Sequence, residues 1–173
     1  MDIIYINEWI EKNEEFLNTT TKTKLNKKQI IYRIWYGIAS TKYLNSNLIR
    51  EFNRIAITSQ LSIYSVTNII KRFSQNHMLT IDIIKDFPYL NWNILEISSH
   101  MNINEILKYP NLNEIIKTPD LNWYWFQIMS NTLNSKLNID IVLSNNTHVW
   151  DWYSLSMHTN ITMSDIESHM DLP

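Results

Sequence analysis

Residues 92–104 read WNILEISSHMNIN and residues 150–162 read WDWYSLSMHTNIT, so apolar and polar positions run in the same order twice. In both, Trp precedes Asn or Asp, an Ile or Leu precedes Ser, a His stands two positions further on, and Asn-Ile closes the phrase. A catalytic site is needed once, whereas a pattern repeated in register marks an architectural unit. Leu79 and Leu137 each stand thirteen residues before the Trp and open matching phrases, LTIDII and LNIDIV. ITMSDI at 161–166 and LNSNLI at 44–49 fit the same opening, which gives a unit of about 24 residues in two halves.

The first half sets an apolar residue before Thr or Asn, then an acid, then an apolar pair. Thr80, Asn138, Thr162 and Asn45 suit helix N-caps, and Asp82, Asp140 and Asp165 fall in the first turn, where a carboxylate favours the helix dipole. Thr162 with Asp165 approximates a capping box. A short helix is predicted, ending near Pro88, Pro110 or Pro119, each of which removes a backbone donor. The second half follows a turn at Asn91 or Asn122. Its apolar residues, Trp92, Leu95 and Ile97 or Trp152, Tyr153 and Leu155, recur at helical spacing, which predicts a second short helix. Neither helix can bury its face alone. The expected fold is all-α, an α-solenoid-like array of short helix-turn-helix repeats with no sheet.

The pattern has irregularities. EILKYPNLN at 105–113 is followed at once by EIIKTPDLN at 114–122, a nine-residue tandem duplication. WYGIAS at 35–40 resembles a second half and FSQNHMLT at 73–80 its exit, while residues 1–30 fit nothing in the unit. Residues 1–30 are therefore expected to form a leading helix, INEWIEKNEEFL, and a linker; residues 31–173 form the repeat domain, regular from about 66.

Composition narrows the function. Fifteen Lys and Arg against seventeen Asp and Glu leave a net charge of -2, so no overall field draws the chain to phosphate backbones or anionic lipid. The one basic cluster, Lys22, Lys24, Lys27 and Lys28, reads as a solvated linker, with a nucleic-acid patch the minor reading. With no Cys there is neither a disulfide nor a zinc–thiolate site. MDIIYINEW carries Asp2 and Glu8 where a signal peptide needs positive charge and then an apolar run, and IIYRIWYGIA is about half the length of a membrane span. The expectation is an intracellular chain without a membrane segment. Ile and Asn abound while Ala39, Ala56 and Gly37 are the only Ala and Gly, the signature of an AT-rich coding sequence.

Trp150, Asp151, Trp152, Leu155, Ser156, Asn160, Ile161 and Thr162, with PDLNWYW at 119–125, resemble a tryptophan repeat found in many copies in proteins of nucleocytoplasmic giant viruses of the mimivirus kind. The match runs through residues 66–173 and is weak over 30–65. It departs where Ile94 replaces the second Trp and at the duplication. The resemblance implies a viral repeat protein in the host cytoplasm or the virion, and implies no activity.

One glycine excludes a P-loop, a dinucleotide fingerprint and a G-x-S-x-G elbow, each of which needs two or more. His100 and His158 share one position of the unit, and His77 lies close to it. Metal ligation or acid–base chemistry is one reading; repetition favours a structural position tolerant of polar residues near a helix end. His148 with Asp151 and Asp165 with His169 read as exposed pairs. Trp92, Trp123, Trp150 and Trp152 recur at one phase, so they read as core in preference to stacking platforms; Trp9 and Trp35 lie outside the clear units. No catalytic residue, cofactor or metal is assigned. The function expected is non-catalytic, a helical-repeat protein presenting a surface to a protein partner; the alternative is a small hydrolase or nucleic-acid-binding factor using surface His and carboxylates. If the chain stops at Pro173, its last first-half helix lacks a mate, which makes Ile161, Ile166, Met170 and Leu172 the candidate interaction surface and a route to weak self-association.

Overall fold

The computed structural model describes residues 25–109, 123–130, 137–144 and 150–169, with the side chains of Trp125, Phe126 and Ser130 excepted. Among them every regular element is a helix and none is a strand. No described helix is long and apolar enough to cross a membrane. The described residues divide into two compact units, one holding those up to Leu79 with Leu90–Trp92, the other Thr80–Tyr89 and those from Asn93 onward.

The first unit is built from α1 (Lys27–Ile38), α2 (Ser46–Thr58) and α3 (Ile63–Ser74). Each starts on a side-chain cap that satisfies an otherwise orphaned backbone donor. Asn26 accepts from the Gln29 N–H at 3.0 Å while the Gln29 side chain accepts from the Asn26 N–H at 2.9 Å, a full capping box. Asn45 caps α2 as expected, through the Leu48 N–H, and Ser62 caps α3 through the Ser65 N–H. Lys27 and Lys28 correct the linker reading: they are the first residues of α1, and Ile30 and Ile31 behind them are buried. Lys22, Lys24 and Trp9 lie outside the described residues.

Trp35, Phe52 and Phe73, one from each helix, are wholly enclosed and form the centre of this unit. Their rings meet at 5.5 Å for Trp35–Phe52 and 5.4 Å for Phe52–Phe73, the latter edge to face, the geometry the ring quadrupoles favour. Ile49, Ile55 and Ile69 fill the space around them. Such burial stabilises by about 1.5–3 kcal/mol per side chain. The indole Nε1 of Trp35 has no hydrogen-bond partner.

The second unit consists of short helices: α4 (Ile81–Asp86), α5 (Ile94–His100), α6 (Ile103–Leu107), α7 (Trp125–Ser130), α8 (Ile139–Ser144), α9 (Trp152–Ser156) and α10 (Met163–Ser168). Helices of five to seven residues do not hold in isolation, so their stability comes from caps and packing. The expected caps are present: Thr80 accepts from Ile83, Asn138 from Ile141, and Thr162 forms a capping box with Asp165. α4 stops at Asp86, with Phe87 turning the chain out of helical geometry before Pro88. Pro110 and Pro119 lie outside the described residues.

The second-half helices carry a cap that the sequence pattern places differently. Asn93 accepts from the Glu96 N–H and Asp151 from the Ser154 N–H, so the residue after Trp is the N-cap and Trp itself stands just before it. The inward phase therefore runs Ile94–Ile97 in α5 and Trp152–Leu155 in α9. Leu95 and Tyr153, expected on the buried stripe, correspond to one another and face solvent, 43 % and 71 % exposed. Trp92, Trp123 and Trp150 are buried; Trp152 retains part of its surface and is less enclosed than Trp150. Within this unit α7 packs against α5 and against α9, and in the first unit α1 packs against α3.

Candidate functional site

Two features recur at corresponding positions, and they give roles to Ser98 and His158 among the polar residues that the sequence repeats. The first lies between successive second-half helices. The Tyr124 N–H, at the cap position of α7, donates to Ser98 Oγ of α5 at 3.1 Å. The Asp151 N–H, at the cap position of α9, makes the equivalent bond to Met129 Sδ of α7 at 3.2 Å. Ser98 directly follows the buried Ile97, and Met129, itself buried, directly follows Ile128. One backbone donor at the start of α7 and one at the start of α9 thus find their acceptor on the second-half helix before, which answers why a small polar residue follows Ile97.

The second feature is the turn that leaves these helices. His158 is buried, and its Nδ1 accepts from the Asn160 N–H at 3.2 Å while the Ile161 N–H donates to the His158 carbonyl. Asn76 stands at the corresponding place in FSQNHMLT. Its Oδ1 accepts from the Met78 N–H at 2.8 Å and the Leu79 N–H donates to its carbonyl. Asn and His are interchangeable here because both offer an acceptor two bonds beyond Cβ, the geometry of an Asx-type turn. Accepting at Nδ1 requires that nitrogen to carry no proton. His158 is therefore committed to backbone hydrogen bonding, as a structural position should be. Asn160 adds a bond from Nδ2 to the Leu137 carbonyl at 3.2 Å, tying this turn to the start of α8.

The remaining candidates fall apart chemically. Among the described residues no three His, Asp or Glu side chains gather as a metal site would need. His169 Nδ1 lies 2.8 Å from the Asp165 backbone carbonyl and not against its carboxylate. That carboxylate receives the Thr162 hydroxyl and N–H, both at 2.7 Å, which hold it below the usual Asp range. His148 is outside the described residues. Of the proposed terminal surface, Ile161 is half-buried and Ile166 is 43 % exposed, with Met163 beside it exposed; Met170 and Leu172 lie outside the described residues.

No protein-family model, curated protein or solved structure matches the chain.

A different feature, unmarked by any motif, is the concavity of the first unit where α1 and α3 end. It encloses about 330 Å³ and is lined by Ser40, Lys42, Arg72, Gln75, Asn76 and His77 among others. Arg72 crosses from α3 to the end of α1, donating from Nε to Ser40 Oγ at 2.6 Å and from Nη1 to Gln75 Oε1 at 3.1 Å. Its guanidinium lies 5.5 Å over the Tyr36 ring. Asn76 Nδ2 donates to both the Ala39 and the Thr41 carbonyl at 2.8 Å, closing the floor. Sequence reasoning missed this site because its halves, residues 40–42 and 72–78, read only as parts of the repeated pattern and meet only in the fold. Elsewhere Lys85 donates to the Tyr109 hydroxyl at 3.0 Å, which raises the Lys85 pKa, and the Tyr109 carbonyl accepts from Trp123 Nε1 at 2.8 Å.

Proposed function

We propose that the chain is a non-catalytic helical-repeat protein of giant-virus kind, working in the host cytoplasm or the virion, whose stacked second-half helices present a surface to a protein partner. The stacking reading rests on the bond repeated from α5 to α7 and from α7 to α9, together with the packing of α7 against both neighbours. The surface reading rests on one observation: the first outward position of the second-half helix carries Leu95 in α5 and Tyr153 in α9, both exposed. An apolar or aromatic side chain held outward at a recurring position adds no core packing, and aromatic residues are enriched where proteins bind one another. Tyr124, half-exposed at the cap of α7, extends the same kind of chemistry.

The test places a photo-crosslinking phenylalanine analogue at 95, at 153 and, as a control, at the exposed Thr58 of α2, in cells where the protein is made during infection. The expected result is one partner captured from both 95 and 153 and not from 58. Capture that is equal from all three positions, or absent from 95 and 153, overturns the reading.

A further inference from the structure

We propose that the concavity at the ends of α1 and α3 binds the phosphoryl group of a phosphate monoester, a site carried by the first unit and independent of the partner surface argued above. Around the cavity the side-chain acceptors of Ser40, Gln75 and Asn76 and several carbonyls are consumed internally. The Ala39 and Thr41 carbonyls are taken by Asn76 Nδ2, Ser40 Oγ and Gln75 Oε1 by Arg72, Asn76 Oδ1 by the Met78 N–H, and the Tyr36 and Ile38 carbonyls by the Ser40 and Thr41 hydroxyls. These bonds leave over the guanidinium hydrogens of Arg72 that neither Ser40 nor Gln75 receives, and Lys42 and His77 stand with Arg72 in the lining.

The charge points the same way. Among the described residues no Asp or Glu lines the cavity, and Arg72 has only neutral partners, Ser40, Gln75 and the Tyr36 ring. The guanidinium has no carboxylate partner among the described residues, and, fixed by two hydrogen bonds and a ring, it has already lost the rotamer freedom that binding would cost. Lys42, exposed and resting 5.4 Å over Tyr43, brings a second cation from another element. The planar fork of Arg72 matches the oxygens of a phosphoryl group, and a second cationic residue in the lining favours a dianion over a monoanionic carboxylate. The volume admits a small ligand around that group.

The experiment titrates inorganic phosphate into the full ¹⁵N-labelled chain at constant ionic strength, following amide and arginine Nε–Hε resonances. Saturable shifts centred on Lys42, Arg72 and His77 are expected, with phenyl phosphate binding at least as tightly and acetate more weakly. Lys42→Gln, at an exposed side chain outside the packing, should weaken phosphate roughly tenfold, as removal of one charge-assisted contact does. Arg72→Lys, which keeps charge and loses the fork, should weaken it as well. Because Arg72 also joins α3 to Ser40, the decision rests on Lys42→Gln. Shifts that do not saturate, an equal response to acetate, or unchanged affinity in Lys42→Gln overturn the proposal. Glycerol phosphate and a phosphoserine peptide, as further arms, distinguish a metabolite from a modified protein as the carrier, and failure of both to bind where phosphate does overturns the monoester.

Discussion

Gln60 shows what a chain with a single glycine does where a helix must end. Its φ of 49° lies in the left-handed region, and it occupies the position after the cap of α2, where the Leu61 N–H reaches the Ala56 carbonyl and the Gln60 N–H the Ile57 carbonyl. That pair of bonds is a Schellman motif, which elsewhere uses glycine because Cβ is crowded in this conformation. Gln60→Gly should raise stability by about 0.5–1 kcal/mol, the relief of left-handed strain less the added freedom of the unfolded chain; chemical denaturation of the two proteins checks it. His158 makes the opposite case, a side chain whose value is one acceptor. His158→Leu should cost about 1–3 kcal/mol by stranding the Asn160 N–H, while His158→Asn, which supplies the acceptor that Asn76 supplies, should cost clearly less. Equal losses in the two denaturation curves would refute that role. The recurrence of His100 and His158 is legible in the sequence, and at His158 the structure gives the position a backbone-capping role. The acceptor itself is not legible in the sequence, because it shows only beside Asn76, a different residue doing the same work.

At the scale of the element, caps were the most legible feature, since Asn45, Thr80, Asn138 and Thr162 act through their own following turn. In the second-half helices the structure lies one residue out of phase with the sequence pattern. Asn93 and Asp151, not the Trp before them, hold the cap, so Leu95 and Tyr153 turn outward while Ile94 is buried and Trp152 half-buried. The inter-helix bond gives this level its sharpest test. Ser98→Ala should cost about 1–2 kcal/mol by leaving the Tyr124 N–H without its acceptor. Ser156→Ala, at the corresponding but exposed position of α9, should stay within about 0.5 kcal/mol. Thermal unfolding of both variants separates a stacking role from a merely local one. The α10 cap adds a pH dependence. Because Thr162 depresses the Asp165 pKa, the cap's contribution is present in full above the ordinary value of 3.8 and is lost as pH falls through the lowered folded value. Urea midpoints from about pH 6 to about pH 2 should therefore drop less steeply in Asp165→Asn than in the wild-type chain.

For the whole molecule, the all-helical class was legible from periodicity, but the division into two units was not. The core of the first unit, Trp35, Phe52 and Phe73, joins residues that share no spacing, and only tertiary contact reveals them as one cluster. The proposed terminal surface is a prediction at this scale. With Ile166 and Met163 exposed on α10, Ile166→Glu should abolish any concentration-dependent dimer in sedimentation equilibrium without lowering the unfolding midpoint. A wild-type chain that stays monomeric at high concentration would remove self-association from consideration.

The hydrogen bonds that join distant parts of the second unit have one more consequence. Those from Tyr124 to Ser98, Asp151 to Met129, Asn160 to Leu137 and Lys85 to Tyr109 span 26, 22, 23 and 24 residues, and that from Trp123 to Tyr109 spans 14. None reaches past its near neighbours. Each therefore closes a loop of at most 26 residues, and because the entropy lost in closing a loop grows only slowly with its length, none of these contacts costs far more to form than the others.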